Sequence, residues 1–598
     1  MISGGRAEEP GGAEREWRPP PPAAPGGARR VARALDHPPQ VAELLWSRGH
    51  SRVETAQSFL DAPIETLHDP FLLMDMDRAV DRTSRALEDN ERIIVHGDYD
   101  VDGLCGTALL VHFFRELGQE VESYVPDRLE EGYGLNPEAI LGLGAKGKGL
   151  LITVDSGISN PDEVEAARAV GLDVIITDHH QPPDPLPRAL AVVNPHRPGC
   201  AYPDKSLCGT GIAFKFVAAL RRALRDAGRP GTLPNLRRTL DLVALATVAD
   251  VADTRGENRV LLRHGLRELA GSTRPGLRSL IRMAGTAPEP DGPDATLRYA
   301  QVAFQLAPRI NAAGRLGKAD LALELLLETD LARATESASK LDRINAERQN
   351  IQEEVYQDAR RRAPAGRLHG DGPIVLWETG WHPGVLGIVA SKLAEEFHCP
   401  VILIALDGAL GKGSGRTAGA LHLQGALADC ADLLETFGGH QQAAGLTLRT
   451  ERLEEFAERF SQIVRERTAP EDGVPALELD GRVGLSDLTL ETMRALERMA
   501  PFGPGNARPV YAAERLQVVG GIRAVGREGR HLKIELHDPA SGQSAEAIGF
   551  GMGSDDRLDF LNRPGELVDA AFEPEVNRWN GRESLQLVLK DLRRSAGS

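Results

Sequence analysis

Between residues 92 and 180, short apolar runs alternate with helix-length segments. This alternation constrains the fold more than anything else in the chain. Residues 92–96 carry Ile93, Ile94 and Val95, and the pattern returns at 121–125, 149–154 and 173–177. Helical stretches over 103–117 and 160–170 lie between them. Strands separated by helices are not joined as hairpins. They predict an α/β fold, a parallel sheet wound by crossover helices. Residues 239–251 read as a buried helix. Residues 332–362 read as a long helix without Gly or Pro, with Leu341, Ile344, Arg348, Ile351 and Val355 at helical spacing.

Three of the predicted strands run straight into acids and histidines. The first leads into His96-Gly97-Asp98-Tyr99-Asp100-Val101-Asp102-Gly103, the next into Asp155-Ser156-Gly157, the third into Asp178-His179-His180. Open α/β sheets bind ligands at the carboxyl ends of their strands. Asp250, at the end of the buried helix, adds one more carboxylate. So many acids in one crevice repel one another unless cations neutralise them. Carboxylate and imidazole donors suit Mn²⁺ or Mg²⁺. Their number suits two ions about 3.5–4 Å apart, the arrangement for attack on phosphate esters. A solvated turn would explain one such cluster, but not three at three strand ends. Zinc ribbons are disfavoured, because the five cysteines form no CxxC pair.

The net charge of −17 excludes a general polyanion coat, though not one basic groove on an acidic enzyme. No run approaches the ~18 apolar residues of a membrane span, and the first residues hold no apolar signal core. The expectation is a soluble, cytoplasmic protein without a membrane partner. Residues 1–40, rich in Pro, Gly, Ala and Arg, read as a disordered tail. Residues 41–90 read as a helical cap. A second α/β unit is expected from 373 to about 462, with strands at 374–377 and 401–405 and a helix at 385–397. From about 474 the chain is strand-rich. Asn580-Gly581 between two strand patterns is a hairpin signal, and the whole suggests a small β-barrel.

The His96–Gly103 run, Asp155-Ser156-Gly157, Asp178-His179-His180 and Ala249-Asp250 together resemble the motifs of the DHH phosphoesterase superfamily. Within it the chain is similar to the branch of single-strand-specific 5′→3′ DNA exonucleases of recombination and repair, from about residue 41 to 595. Further runs carry that likeness: Glu131-Gly132-Tyr133-Gly134-Leu135-Asn136, Pro308–Arg315, Gly380–Gly387, Gly438-Gly439-His440, Pro501-Phe502-Gly503-Pro504-Gly505-Asn506 and Trp579–Glu583. The resemblance implies a DHH catalytic domain over 91–331 and a connecting helix over 332–364. It further implies a smaller α/β DHH-associated domain over 365–473 and an OB-fold barrel over 474–598.

It also implies roles. His96, Asp100, Asp102, Asp155, His179 and Asp250 would ligate two Mn²⁺ or Mg²⁺ ions, with Asp155 bridging. Asp98 would be a ligand or an acceptor holding a His N–H. His180 would contact a phosphate oxygen or tune the ligands. Arg309 and Arg315 are candidates for the scissile or a neighbouring phosphate. Ser414 and Arg416, in a glycine-rich run, with Gly438, Gly439 and His440 would bind the strand's 5′ end, their amides approaching the anion closely. Trp381, His382 and Lys392 are weaker candidates on that domain. On the barrel, Arg523, Arg527, Arg530, His531 and Lys533 form a basic cluster, and Phe550, Phe572 and Trp579 are candidates for base stacking. The implied partners are single-stranded DNA, a helicase and a single-strand-binding protein, acting on a monomer. The alternative is a phosphoesterase of short oligonucleotides or cyclic dinucleotides, and the barrel argues against it.

Overall fold

The computed structural model describes residues 15–19, 26–291, 294–363, 372–419, 421–468, 476–526, 529–553, 558, 560–561, 566–579 and 582–595. They fall into two compact units. One comprises 62–351 with 501–507, the other 1–61, 352–500 and 508–598.

The first unit is built on a five-stranded, wholly parallel sheet. Its strands are β1 (Ile93–Gly97), β2 (Val121–Tyr124), β3 (Gly149–Val154), β4 (Leu172–Thr177) and β5 (Ala191–Val193). Their order is β2-β1-β3-β4-β5. β1, β3 and β5 are buried at every position, which requires cover on both faces. On one face Ile93, Val95, Ile152 and Val154 pack with α1 (Val101–Glu116), α2 (Gly209–Asp226) and α3 (Leu240–Ala249). On the other, Ile94, Leu151, Val174 and Ile176 meet Ile140, Leu143 and Val164 of the helices Pro137–Ala145 and Pro161–Ala169. The chain leaves β1 for β2 on one side and returns to β3 on the other. The loops after β1 and β3 therefore diverge and open a crevice. α1 begins at Val101 rather than at 103 because Asp100 caps it: Asp100 Oδ1 accepts the N–H of Asp102 at 2.8 Å and of Gly103 at 3.2 Å.

Later in this unit a π-helical turn, Val302–Leu306, leads into α4 (Ala307–Arg315). The expected long helix is α5 (Leu331–Arg362), with Leu341, Ile344, Arg348 and Val355 buried.

In the second unit a mixed sheet joins β6 (Ile374–Thr379), β7 (Val401–Asp407), β8 (Leu410–Arg416), β9 (Thr436–Gly439) and β10 (Ala443–Arg449) in the order β9-β10-β8-β7-β6. α6 (Pro383–Phe397) packs on β7 and β8. Ile402, Ile404, Leu446 and Leu448 pack with Leu423, Phe456 and Phe460 of the helices Leu423–Ala428 and Leu453–Arg467.

A short helix, α7 (Leu490–Glu497), precedes the barrel. The barrel strands are β11 (Tyr511–Val525), β12 (His531–Asp538), β13 (Gln543–Gly549), β14 (Leu567–Trp579) and β15 (Arg582–Arg594). They run β11-β12-β13-β15-β14, and pairing of β11 with β14 closes the circle. Trp579 pairs with Arg582, leaving a two-residue connection, although Asn580 and Gly581 themselves lie outside the described residues.

Two expectations need correction. The supposed tail contains a strand, Glu16–Arg18, paired in parallel with Ala476–Glu478, and a helix, Gly27–Leu35. Trp17 explains the strand: its indole N–H donates to Asp591 at 2.8 Å beneath the Arg593 guanidinium. The stretch after 474 is also not one body, because residues 501–507 belong with the parallel-sheet unit. Among the described residues no helix is long and apolar enough to cross a membrane.

Candidate metal centre

The strand ends bring the predicted acids and histidines together. His96 is the last residue but one of β1, wholly buried against the Tyr124 ring, and neither ring nitrogen has a hydrogen-bond partner. Burial pushes its pKa down to about 4, so the ring is neutral and available as a donor. Asp98 follows, buried, with Oδ1 unpartnered. Desolvation first, then the neighbouring Asp100, raise its pKa well above the usual carboxylate range.

Asp102, on the first turn of α1, is held differently. Its two carboxylate oxygens accept the N–H groups of Gly209 at 2.6 Å and Thr210 at 2.7 Å, at the start of α2. Gly209 is required there, since a Cβ would stand 2.6 Å from Cβ of Asp155. Asp155 sits just beyond β3 at φ +59°, an uncommon conformation for a residue with a side chain and one found at functional sites. Desolvation and then the charge of Asp102 raise its pKa strongly.

After β4, the three residues of the Asp-His-His motif divide the work. Asp178 is fully buried and accepts from Ile158 N at 3.1 Å, His179 N at 2.7 Å, His180 N at 3.1 Å and His180 Nδ1 at 2.8 Å. Burial alone would raise it, but these bonds hold it below the ordinary range. His179 Nε2 lies 3.0 Å from Asp155 Oδ1 without hydrogen-bond alignment, and both atoms lack a hydrogen-bond partner. Burial opposes charge on His180, yet its hydrogen bond to Asp178 and the charge of that carboxylate lift it to about 9. Tyr133 completes this side, its hydroxyl 3.1 Å from Asp155 O and 3.0 Å from His180 Nδ1. Asp250 caps the end of α3, its pKa raised to about 8 by burial and by Asp102 and Asp100.

The donors form three overlapping groups, each with ligand atoms within 4.8 Å of one another: Asp98, Asp100 and Asp155; Asp102, His179 and Asp250; and Asp155, His179 and His180. Buried carboxylates whose charge is costly, beside unpartnered buried nitrogens and oxygens, are what divalent cations would satisfy. The residues present fit Mn²⁺ or Mg²⁺.

Sequence reading missed the supports. Asp178 was visible in its motif but received no role. Tyr133, Gly209, Thr210 and Asn311 reach the site from distant positions. Asn311 Oδ1 accepts the Val101 N–H at 3.2 Å, so α4 packs on the motif loop. Arg309 on that helix pairs with Asp342 at 2.9 Å, and Arg315 ends it.

In the second unit, Ser414, Arg416, Gly438, Gly439 and His440 gather at one end of the sheet. Ser414 and Gly438 both pair with Gly445; Arg416 pairs with Ala443, whose carbonyl accepts the His440 N–H at 2.7 Å. The expectation that the Gly413–Arg416 amides approach an anion is overturned. β8 is flanked by β7 and β10 along its length, and the ladders use those amides. Side chains remain: Arg416 donates to Ser414 Oγ at 3.0 Å. Trp381 is buried, donating to Asp358 at 3.1 Å, His382 caps α6, and Lys392 lies over the Tyr356 ring.

On the barrel, Phe572 is fully buried and is core, not a stacking surface. Phe550 is exposed, edge-on to His531 at 5.2 Å. Arg523 and Lys533 pair across β11 and β12, and Lys533 also meets Glu546 at 2.8 Å. Arg527 and the Trp579 side chain lie outside the described residues.

A parallel sheet with acids and histidines at three strand ends, followed by a mixed α/β sheet and a closed barrel, defines a DHH-type metal phosphoesterase. Family profiles match in the same order: the DHH family N-terminal domain over 92–247, the DHHA1 domain over 370–466 and the RecJ OB domain over 479–591. The chain is 37% identical to the single-stranded-DNA-specific exonuclease RecJ of Dickeya dadantii, over 94% of this chain and 98% of that one. It is 36% identical to the Escherichia coli protein of the same name, over 93% and 96%. The crystal structure of RecJ with Mn²⁺ from Thermus thermophilus superposes with a TM-score of 0.81 at 33% identity, covering 97% of this chain and 79% of that one. A counterpart with Mg²⁺ gives 0.75 at 31% identity, covering 97% and 78%. The chain belongs to the RecJ family.

Proposed function

We propose that the protein is a metal-dependent exonuclease that hydrolyses single-stranded DNA from its 5′ end. The observation that carries the reading is the set of buried, unpartnered polar atoms on His96, Asp98, Asp155 and His179 at the strand ends. Bound there, a pair of Mn²⁺ or Mg²⁺ ions supplies polarisation of a phosphoryl oxygen and activation of water. In this reading His96, Asp98, Asp100 and Asp155 would hold one ion, and Asp102, His179 and Asp250 would hold the other. Asp155, 3.0 Å from His179 and a member of two of the donor groups, would be available to both.

His180 serves the substrate. Its Nδ1 is committed to Asp178 and Tyr133, so Nε2 is its free donor, and the charged ring can hydrogen-bond a phosphate oxygen. Arg309 and Arg315 bind neighbouring phosphates, Arg309 exchanging Asp342 for the anion. Ser414, Arg416, Gly438, Gly439 and His440 receive the 5′ end through side chains and the edge strand β9. The barrel holds the strand beyond, a task that short oligonucleotides or cyclic dinucleotides would not need. The limits of the catalytic domain, connecting helix, DHH-associated domain and barrel expected from sequence are kept in this reading, with residues 501–507 reassigned; the disordered tail is not kept, and the 41–90 cap divides at residue 61. So are action as a monomer in the cytoplasm, delivery of substrate by a helicase and a single-strand-binding protein, and service in recombination and repair.

The test is Asp155→Ala. Hydrolysis of a single strand with Mn²⁺ should fall below about 10⁻³ of the parent, with an unchanged circular dichroism spectrum. Substantial turnover in the variant would refute the assignment.

A further inference from the structure

The Pro501–Asn506 run carries none of the donors described above, yet it folds with the unit that holds them. It is a closed turn. Gly503 N–H donates to Asn506 O at 3.0 Å, and Asn506 N–H returns to Gly503 O at 3.1 Å. The Asn506 side chain, 1% exposed, donates to Pro501 O at 2.9 Å.

This turn sits against the loop that follows Asp250. Pro504 O accepts two hydrogen bonds from the buried Thr254, from its N–H at 2.8 Å and from its hydroxyl at 2.8 Å. Close approach depends on glycine. A Cβ on Gly503 would stand 2.6 Å from Thr254 Cγ2 and 2.8 Å from Tyr299 Cε2. One on Gly505, at φ +75°, would stand 2.2 Å from Asp253 Oδ1. Tyr299 in turn reaches the last turn of α3, donating to Val248 O at 3.4 Å. The turn therefore braces the Asp250 loop directly through Thr254 and the helix end through Tyr299.

A brace is needed there. Val251, next to Asp250, sits at φ +57°, where a β-branched residue is strained and persists only if its surroundings impose it. Asp102 is fixed by the amides of Gly209 and Thr210. Asp250 instead stands at a helix end whose continuation is this strained loop.

We propose that the 501–506 turn is a positioning element for Asp250, and that it sets the cation affinity of the position formed by Asp102, His179 and Asp250. The proposal rests on reading Asp250 as a metal donor. Thr254, Gly503 and Pro504 belong to none of the three donor groups; they act through the backbone that carries Asp250.

The experiment counts Mn²⁺ bound to the full-length protein by electron paramagnetic resonance, with circular dichroism as the check on folding. Thr254→Val removes the hydroxyl bond at nearly constant volume, and Thr254→Ser restores it. Thr254→Val should weaken one Mn²⁺ equivalent about ten-fold and leave the other unchanged, while Thr254→Ser stays near the parent. Gly503→Ala, which pushes the turn off Thr254 and Tyr299 without removing a hydrogen-bonding group, should reproduce the loss. At saturating Mn²⁺ the KM for a single strand should not move. Asp250→Asn is the reference and should lose one equivalent outright. If Asp250→Asn binds both ions normally, the ligand reading fails. If Asp250→Asn loses an ion while folded Thr254→Val and Gly503→Ala keep both at parent affinity, or weaken both equally, the positioning role is overturned.

Discussion

At the scale of single residues, the site is a balance of charge that only cations complete. Asp250 is raised to about 8 and His180 to about 9, each above its unfolded value. A group whose folded pKa is raised contributes stability at low pH and loses it as pH climbs through that value. Above about pH 6.5 His96 is neutral whether folded or not, so it adds nothing to the trend. The metal-free protein should therefore lose thermal stability between about pH 6.5 and 9, and the gain in Tm on adding Mn²⁺ should be larger at pH 9 than at 6.5. Melting curves with chelator and with Mn²⁺ check this; a flat or rising metal-free curve would count against the site as described.

Asp178 makes a second case. It touches no candidate ion in the three donor groups, yet it holds His180 by a 2.8 Å hydrogen bond. Asp178→Asn should lower kcat about 10- to 100-fold with little change in KM for the strand, read by steady-state kinetics at saturating Mn²⁺. The acids and histidines that gather at the strand ends were legible because most fall in clusters contiguous in sequence. Their supports were not: Gly209 and Thr210 meet Asp102 from more than a hundred positions away, and Tyr133 meets His180 from 47.

At the scale of elements, four of the five parallel strands and the helices at 101–116 and 161–169 were legible to within two residues, because most of these strands are continuous apolar runs, while the three-residue strand Ala191–Val193 and the helix Pro137–Ala145 were not. α1 started early because the motif's own Asp100 caps it. β8 is the instructive failure. Gly413-Ser414-Gly415 suggested loop chemistry, but Gly411, Gly413 and Gly415 recur with a period of two. All three face one side of a strand, where a Cβ would stand 2.7 Å from Ile404 at Gly411 and a tight 3.0 Å from Leu446 at Gly413 and Leu423 at Gly415. The alternation itself was the available signal. Close packing also dictates the start of α2. Gly209→Ala should displace that helix from Asp155, cost about 1–3 kcal/mol in denaturant unfolding, and weaken Mn²⁺ binding through Asp102. A variant with parent stability and parent Mn²⁺ affinity would contradict the packing argument.

At the scale of the whole molecule, the order of catalytic sheet, mixed sheet and barrel was readable because each has its own periodicity. The unit boundaries were less so, since hydrophobic pattern says nothing about which distant segment a turn will join. The Pro501–Asn506 turn returns to the catalytic unit, and Trp17 anchors a segment whose composition looked structureless. In the proposed function these parts make a cation-dependent enzyme that consumes one strand from its 5′ end. Digestion of a single strand labelled at either end, in Mn²⁺ and in chelator, with the same sequence as a blunt duplex alongside, tests it most directly. The 5′ label should be released at once in mononucleotides, the 3′ label should persist on a ladder of shortening fragments, the duplex should stay intact, and chelator should stop the reaction. Early loss of the 3′ label, internal cutting, or undiminished turnover in chelator would contradict that function.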